Sequence, residues 1–398
     1  MPTTLHFGVD HLVAARLADL RGLRIGLVTN DAATTALLPR PLMPVRQALQ
    51  QMGVNLVRLF APEHGMGASA HDGANIADAV DPLTGLPVVS LYGATFQPTA
   101  AMLADLDLLL FDIPDVGVRF YTYIWTLSHL LEACGAVGLP LWVLDRPNPL
   151  GGDLALAEGP ILDETQISSF VGRWAIPIRH SLTVGELAQM WNQERGLAVD
   201  LTVVPVMGWA RHQQWPFVGL PFVPMSPAMP SYQSALLYPG TCLFEGTKLS
   251  EGRGTATPFQ LISAPWLDAI AVAQTFNQLQ LTGVLARSAQ CIPCAGKYAN
   301  QLCQGVMLHV LNAHEFRPVA AGLQLLWLIS QQHPDEFQWL PYPTAANAPG
   351  YGHFDRLIGR LDIRTALTAT RTAPADLIAQ WTTLPQWPTQ VQPYLLYV

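Results

Sequence analysis

Polar residues interrupt the apolar runs of this chain at intervals that predict strands and helices in alternation. Leu23–Thr29, Val54–Phe60, Leu86–Leu91, Leu106–Phe111 and Leu139–Leu144 are short, apolar and rich in branched side chains, as buried strands are. Between them, helical spacing runs from about Met43 to Met52 and from Tyr123 to Cys134. The pattern continues with a helix over Glu186–Gln193 and a strand over Leu201–Val206. Such alternation predicts an α/β fold with a doubly wound, mainly parallel sheet. The loop-rich stretch Trp209–Pro230 reads as a boundary. Beyond it, helices near Pro265–Gln278, Val319–Gln332 and Pro374–Thr382 and a strand at Val306–Leu311 predict a smaller α+β domain. The expected division is 1–230 and 231–398.

The predicted strands end in polar clusters, and in open α/β sheets ligands bind outside the carboxyl ends of strands. Val54–Phe60 runs into Ala61-Pro62-Glu63-His64-Gly65, where proline stops the ladder and glycine allows a sharp turn. Leu106–Phe111 leads into Asp112-Ile113-Pro114-Asp115 and then Arg119, Tyr121 and Tyr123; Leu139–Leu144 leads into Asp145-Arg146-Pro147-Asn148. Glu158-Gly159-Pro160 follows. In the second half, Gly240 to Thr255 carries Glu245, Glu251 and Arg253 among four glycines, which predicts a tightly folded loop.

Composition narrows the chemistry. Of 398 residues half are hydrophobic and only 13% charged, which suits a large core and argues against disorder. A net charge of −8 gives no basic footprint for nucleic acid or an anionic membrane. No run is long enough to span a bilayer, and no basic segment with an apolar stretch opens the chain. The expectation is a cytoplasmic protein, or a mature form whose signal has been removed. Five cysteines do not describe a disulfide framework; Cys291, Cys294 and Cys303 with His309 form at best a weak zinc pattern. The glycine fingerprint for dinucleotides, the phosphate-binding loop, the nucleophile elbow and the zinc-protease helix are all missing. No cofactor and no metal are expected. Carboxylates, arginines and aromatic rings without those motifs suit recognition of a sugar, whose glycosidic bond is cut by a carboxyl group beside the leaving oxygen.

Each candidate also has a structural reading. Asp145 and Arg146 can form a salt bridge at the strand end, Asp112 can cap a turn, and Tyr121 and Tyr123 can belong to a wall. Glu245 and Glu251 can be satisfied by their own loop's amides. Glu63 is the exception, since a turn needs neither Glu nor His.

Taken together, Pro62-Glu63-His64-Gly65, the run from Phe111 to Tyr123, Leu144 to Gly152, Glu158-Gly159-Pro160, Tyr238 to Thr247 and Leu249 to Thr255 resemble the exo-β-N-acetylmuramidase family. The resemblance extends from Gly8 to Gly359. It implies a Rossmann-like N-terminal domain, a smaller C-terminal domain, and a cleft between them. The implied activity is removal of N-acetylmuramic acid from the non-reducing end of peptidoglycan fragments in cell-wall turnover and recycling. Glu63 carries the family's catalytic role. Glu158, Asp112 and Glu251 are candidates for the second group, and the substrate's N-acetyl group is an alternative to all three. His64, Asp115, Tyr121, Tyr123, Asp145, Asn148 and Glu245 are expected substrate contacts. Arg119, Arg146 and Arg253 are candidates to meet the lactyl carboxylate, because a guanidinium matches a carboxylate in a bidentate fork.

The chain departs from the family pattern at Met66-Gly67-Ala68 (usually Phe-Arg-Gly), Pro114 (Gln), Ala228 (Asn) and Lys248 (Asn). These changes are expected near the cleft. They leave room for a related amino sugar, or for a weakly catalytic sugar-binding protein that senses cell-wall fragments. A nucleotide-dependent enzyme is the third and least supported reading.

Overall fold

The computed structural model describes residues 5–342, 344, 352–372 and 374–398. Its main sheet contains β1 (Ile25–Thr29), β2 (Leu56–Ala61), β3 (Ala79–Val80), β4 (Pro87–Ser90), β5 (Leu108–Asp112), β6 (Leu141–Leu144) and β7 (Leu201–Val204). The order is β3-β4-β2-β1-β5-β6-β7, parallel throughout except for the short edge strand β3. Both faces are covered. Leu109 and Phe111 of β5 enter one core, whereas the alternate residues Leu108 and Leu110 enter the other. The chain leaves β1 first toward β2 and β4, then crosses back to β5 on the opposite side. That reversal places the switch point, where a ligand is expected, around the carboxyl end of β1.

The second domain holds a three-stranded antiparallel sheet, β8 (Leu261–Ala264), β9 (Val284–Cys291) and β10 (Cys303–Val310), in the order β8-β10-β9. Only part of β10 is visible in the sequence pattern. Strand β9 alternates buried and exposed positions and carries Arg287, Ser288 and Gln290, so it lacks an apolar run. Another difference is at Gly240 and Thr241, expected in the glycine-rich loop, which instead close the helix Tyr232–Thr241, with Pro239 inside it. Its packing explains the sequence: a Cβ on Gly240 would lie 1.9 Å from the Pro318 carbonyl oxygen and 3.2 Å from Gly322 Cα. Glycine therefore lets this helix meet Pro318–Gln332 backbone to backbone.

The two domains share an apolar core that runs from Phe111 and Trp125 through Tyr238 and Phe259 to Leu323. The chain's end also returns to the first domain, where the Tyr397 hydroxyl donates to Asp145 at 2.6 Å and Trp387 Nε1 donates to the His180 carbonyl at 2.9 Å.

Candidate active site

Glu63 lies two residues beyond β2, and Thr122 lies in the segment that follows β5, so the two flank β1 at the switch point. Both carboxylate oxygens of Glu63 are held. Gly73 N–H donates to Oε1 at 2.8 Å, and the Thr122 hydroxyl donates to Oε2 at 2.6 Å. Thr122 occupies the N-cap position of helix Tyr123–Val137, yet its side chain makes no capping bond. A threonine there ordinarily accepts from the first turn. Its hydroxyl is committed to the carboxylate instead.

A cavity of about 640 Å³, its open mouth included, spreads from Glu63 between the two domains. The first domain contributes His64, Asp72, Tyr92, Tyr121 and Phe170, and the second contributes Tyr238, Glu245, Arg253, Tyr342 and His353. Many of these side chains are aromatic, with the surfaces that stack on sugar rings. The Tyr92 hydroxyl faces Glu63; burial first, and then the Glu63 carboxylate, push Tyr92 well above the ordinary tyrosine range. It therefore remains a protonated donor. His64, in a left-handed backbone conformation with φ 68°, lies with Nδ1 2.7 Å from the Ala70 carbonyl oxygen. A carbonyl oxygen can only accept, so that contact places a proton on Nδ1.

Arg253 forms the opposite wall. Its Nη2 donates to Glu245 at 2.7 Å, and Nη1 and Nε pair with Asp72 and Glu251, each at 3.2 Å. Burial alone would lower the Arg253 pKa, but these carboxylates outweigh it and hold the guanidinium well above its ordinary value. Lys297 completes the network at 3.2 Å from Glu251, and His353 Nε2 lies 3.1 Å from Glu245. Glu245 and Glu251 are thus satisfied by cations and an imidazole, not by loop amides.

Burial of Glu245 would raise its pKa, yet Arg253 and His353 hold it down to about 2. The folded value lies below the ordinary 4.5, so the unfolded chain binds this proton more readily. The resulting stabilisation is complete above about pH 4.5 and is lost as pH falls toward 2. Melting curves of the wild type and Glu245→Gln should therefore differ at pH 7 and converge in acid.

Several expected contacts lie elsewhere, and each has a structural partner. Glu158 is buried away from this cavity, accepting from Val319 N at 3.1 Å and Ala320 N at 2.7 Å at the start of helix Pro318–Gln332. Burial pushes it up to about 7. Asp112 pairs with Arg146, whose Nη2 also donates to the Thr34 carbonyl at 2.9 Å. The expected Asp145–Arg146 salt bridge is therefore replaced by Asp112–Arg146. Asp145 instead accepts from Gly185 N at 2.8 Å, Thr183 and Tyr397. Arg119 is fully buried, and its guanidinium donates to the carbonyls of Pro160, Ile176 and Leu357. Asn148 bonds the Leu182 carbonyl and Leu150 N. Asp115 accepts from Gly117 N at 2.6 Å, and the Tyr123 hydroxyl donates to the Met225 carbonyl at 2.8 Å. Among the described arginines, only Arg253 lines the Glu63 cavity.

Of the departures from the family pattern, only Ala228 lines this cavity. Pro114 lines a separate, smaller hollow beside Arg146 and Trp215. Met66 packs against the core on the other face of the sheet, and Lys248 N bonds the Gln338 carbonyl. Tyr92, Tyr342 and His353 line the site in addition to the residues expected from sequence. Tyr92 follows β4 just as Glu63 follows β2, which was a positional signal for it. His353 lies shortly before Gly359, within the stretch that carries the family resemblance. Among the described residues, no group of three or more His, Cys, Asp or Glu could hold a metal ion, and no helix is long and apolar enough to cross a membrane.

The model of the exo-β-N-acetylmuramidase NamZ N-terminal domain matches residues 25–233, and that of its C-terminal domain matches 236–397. The peptidoglycan β-N-acetylmuramidase NamZ of Bacillus subtilis (strain 168) is 40% identical over 390 residues, covering 98% of this chain and 91% of that protein. Two crystal structures of DUF1343 family proteins from Bacteroides fragilis NCTC 9343 superpose with TM-scores of 0.86 and 0.75, at 32% and 30% identity, each over 99% of both chains. With both domain models matched in order along nearly the whole chain, the protein belongs to the exo-β-N-acetylmuramidase NamZ family.

Proposed function

We propose that this protein is an exo-acting β-N-acetylmuramidase, a glycoside hydrolase that removes N-acetylmuramic acid from the non-reducing end of peptidoglycan fragments. The observation that carries the reading is Glu63, held on both oxygens and facing an aromatic-walled cavity between the domains. Glu63 protonates the oxygen of the departing sugar and later activates water, as a general acid and then base. The other cavity carboxylates, Asp72 and Glu245, are tied to Arg253. That commitment favours the substrate's own acetamido oxygen as the group that attacks the anomeric carbon. Among the described arginines only Arg253 lines this cavity, so the lactyl carboxylate would meet it there, in competition with the carboxylates it already holds.

Digestion of defined disaccharides tests this function. With N-acetylmuramic acid at the non-reducing end, the expected product is the free monosaccharide, released with its β configuration retained. A disaccharide ending in N-acetylglucosamine should remain uncut. Cleavage within longer chains, or an inverted product, would overturn the exo-acting, substrate-assisted reading.

A further inference from the structure

The loop from His64 to Ile76 leaves Glu63 and returns to the sheet, where Ile76 N donates to the Tyr92 carbonyl at 2.9 Å. Near its tip, consecutive residues reach in opposite directions. Asp72 extends to the second domain, accepting a hydrogen bond from the Tyr342 hydroxyl and pairing with Arg253 Nη1 at 3.2 Å. The next peptide turns back, and Gly73 N–H is the donor to Glu63 Oε1. Gly73 has φ +69°, and a Cβ there would lie 2.7 Å from Thr344 Cβ. The amide that orients the catalytic carboxylate is thus clamped by the second domain on both sides of its peptide.

We propose that Asp72 is a positioning residue for the glycosidase reaction: its ties to Arg253 and Tyr342 set the Gly73 N–H that orients Glu63. The proposal rests on the reading of Glu63 as the acid/base. The terminal torsion of a glutamate is broad, so a single lost donor lets the carboxyl plane swing. A misplacement of about 1 Å in a catalytic group costs on the order of 10²-fold in rate. The same contacts link the two halves of the cavity, so the catalytic group is fully oriented only when the domains are engaged.

The test compares Asp72→Ala and Asp72→Asn in the full chain, each alone and combined with Glu63→Gln, using a chromogenic β-N-acetylmuramide. Asp72→Ala should lower kcat by about 10- to 100-fold with KM changed little, as expected for lost orientation of a catalytic group. Asp72→Asn keeps one acceptor oxygen for Arg253, and its NH₂ can donate to a Tyr342 hydroxyl turned to accept, so it should restore part of that loss. In the Glu63→Gln background, Asp72→Ala should add almost nothing, because residues acting through one group are not additive. Tyr342→Phe, a milder change, should lower kcat several-fold and so supports the same conclusion if Asp72→Ala folds poorly. An equal loss in both backgrounds, or a rise in KM with kcat intact, would overturn the proposal. Full activity of Glu63→Gln alone would instead overturn the reading of Glu63.

Discussion

Glu63→Gln should lower kcat by about 10²- to 10⁴-fold, the usual contribution of a general acid–base group. The substitution preserves size. The amide oxygen can still accept from Gly73 N–H, and the Thr122 hydroxyl can rotate to accept from the new NH₂ group. The fold and the cavity walls should therefore survive, leaving KM nearly unchanged and the melting temperature within a few degrees of wild type. What is lost is the proton that the leaving oxygen needs. Steady-state kinetics with a chromogenic muramide, paired with thermal melting, reads both quantities. A variant with wild-type kcat would remove Glu63 from the chemistry, and a loss confined to KM would make it a binding group.

Arg253→Met should have the largest effect on stability. Arg253 is 20% exposed at its side chain and holds Glu245 and Glu251, which are 6% and 3% exposed, together with Asp72. Removing the guanidinium leaves three carboxylates facing one another with only Lys297 and His353 to answer them. Breaking a buried pair from one side costs about 3–5 kcal/mol, because the remaining charge has no compensation. Arg253→Lys should recover only part of this, since a single ammonium cannot bridge three carboxylates as a planar fork does. Combining Arg253→Met with Glu245→Gln should cost less than the two single losses added together. Denaturant unfolding checks each value. An unchanged midpoint for Arg253→Met would show that the network carries no stability.

The parallel sheet was legible because its strands are buried on both faces and read as continuous apolar runs. Strand β9 was not, since its half-exposed pattern resembles a loop without its partner β10. Glu63 was legible from position alone, at the carboxyl end of a strand and beside residues that stop and turn the chain. Its setting was less so. Asp72 stands in the same loop as Glu63, but Tyr92 follows a different strand and Tyr342 and His353 come from the far end of the chain, and no local spacing connects them. Polar clusters also misled where their side chains serve backbone groups. Arg119 spans three carbonyls, Asp145 gathers two backbone amides and two hydroxyls, and Glu158 serves the start of a helix. A charged residue after a strand looks the same in sequence whether it meets a ligand or a buried peptide group. Only packing separates the two, and it leaves Glu63 facing the cavity while Asp112 and Glu158 are turned away.

A crystal structure of Glu63→Gln with a disaccharide ending in N-acetylmuramic acid tests the central claim most directly. The expected result is a terminal sugar in the cavity between the domains, with its glycosidic oxygen within hydrogen-bond reach of the residue 63 amide and its lactyl carboxylate on the Arg253 side. A sugar seated outside that cavity, or one whose glycosidic oxygen lies beyond reach of residue 63, would contradict the account.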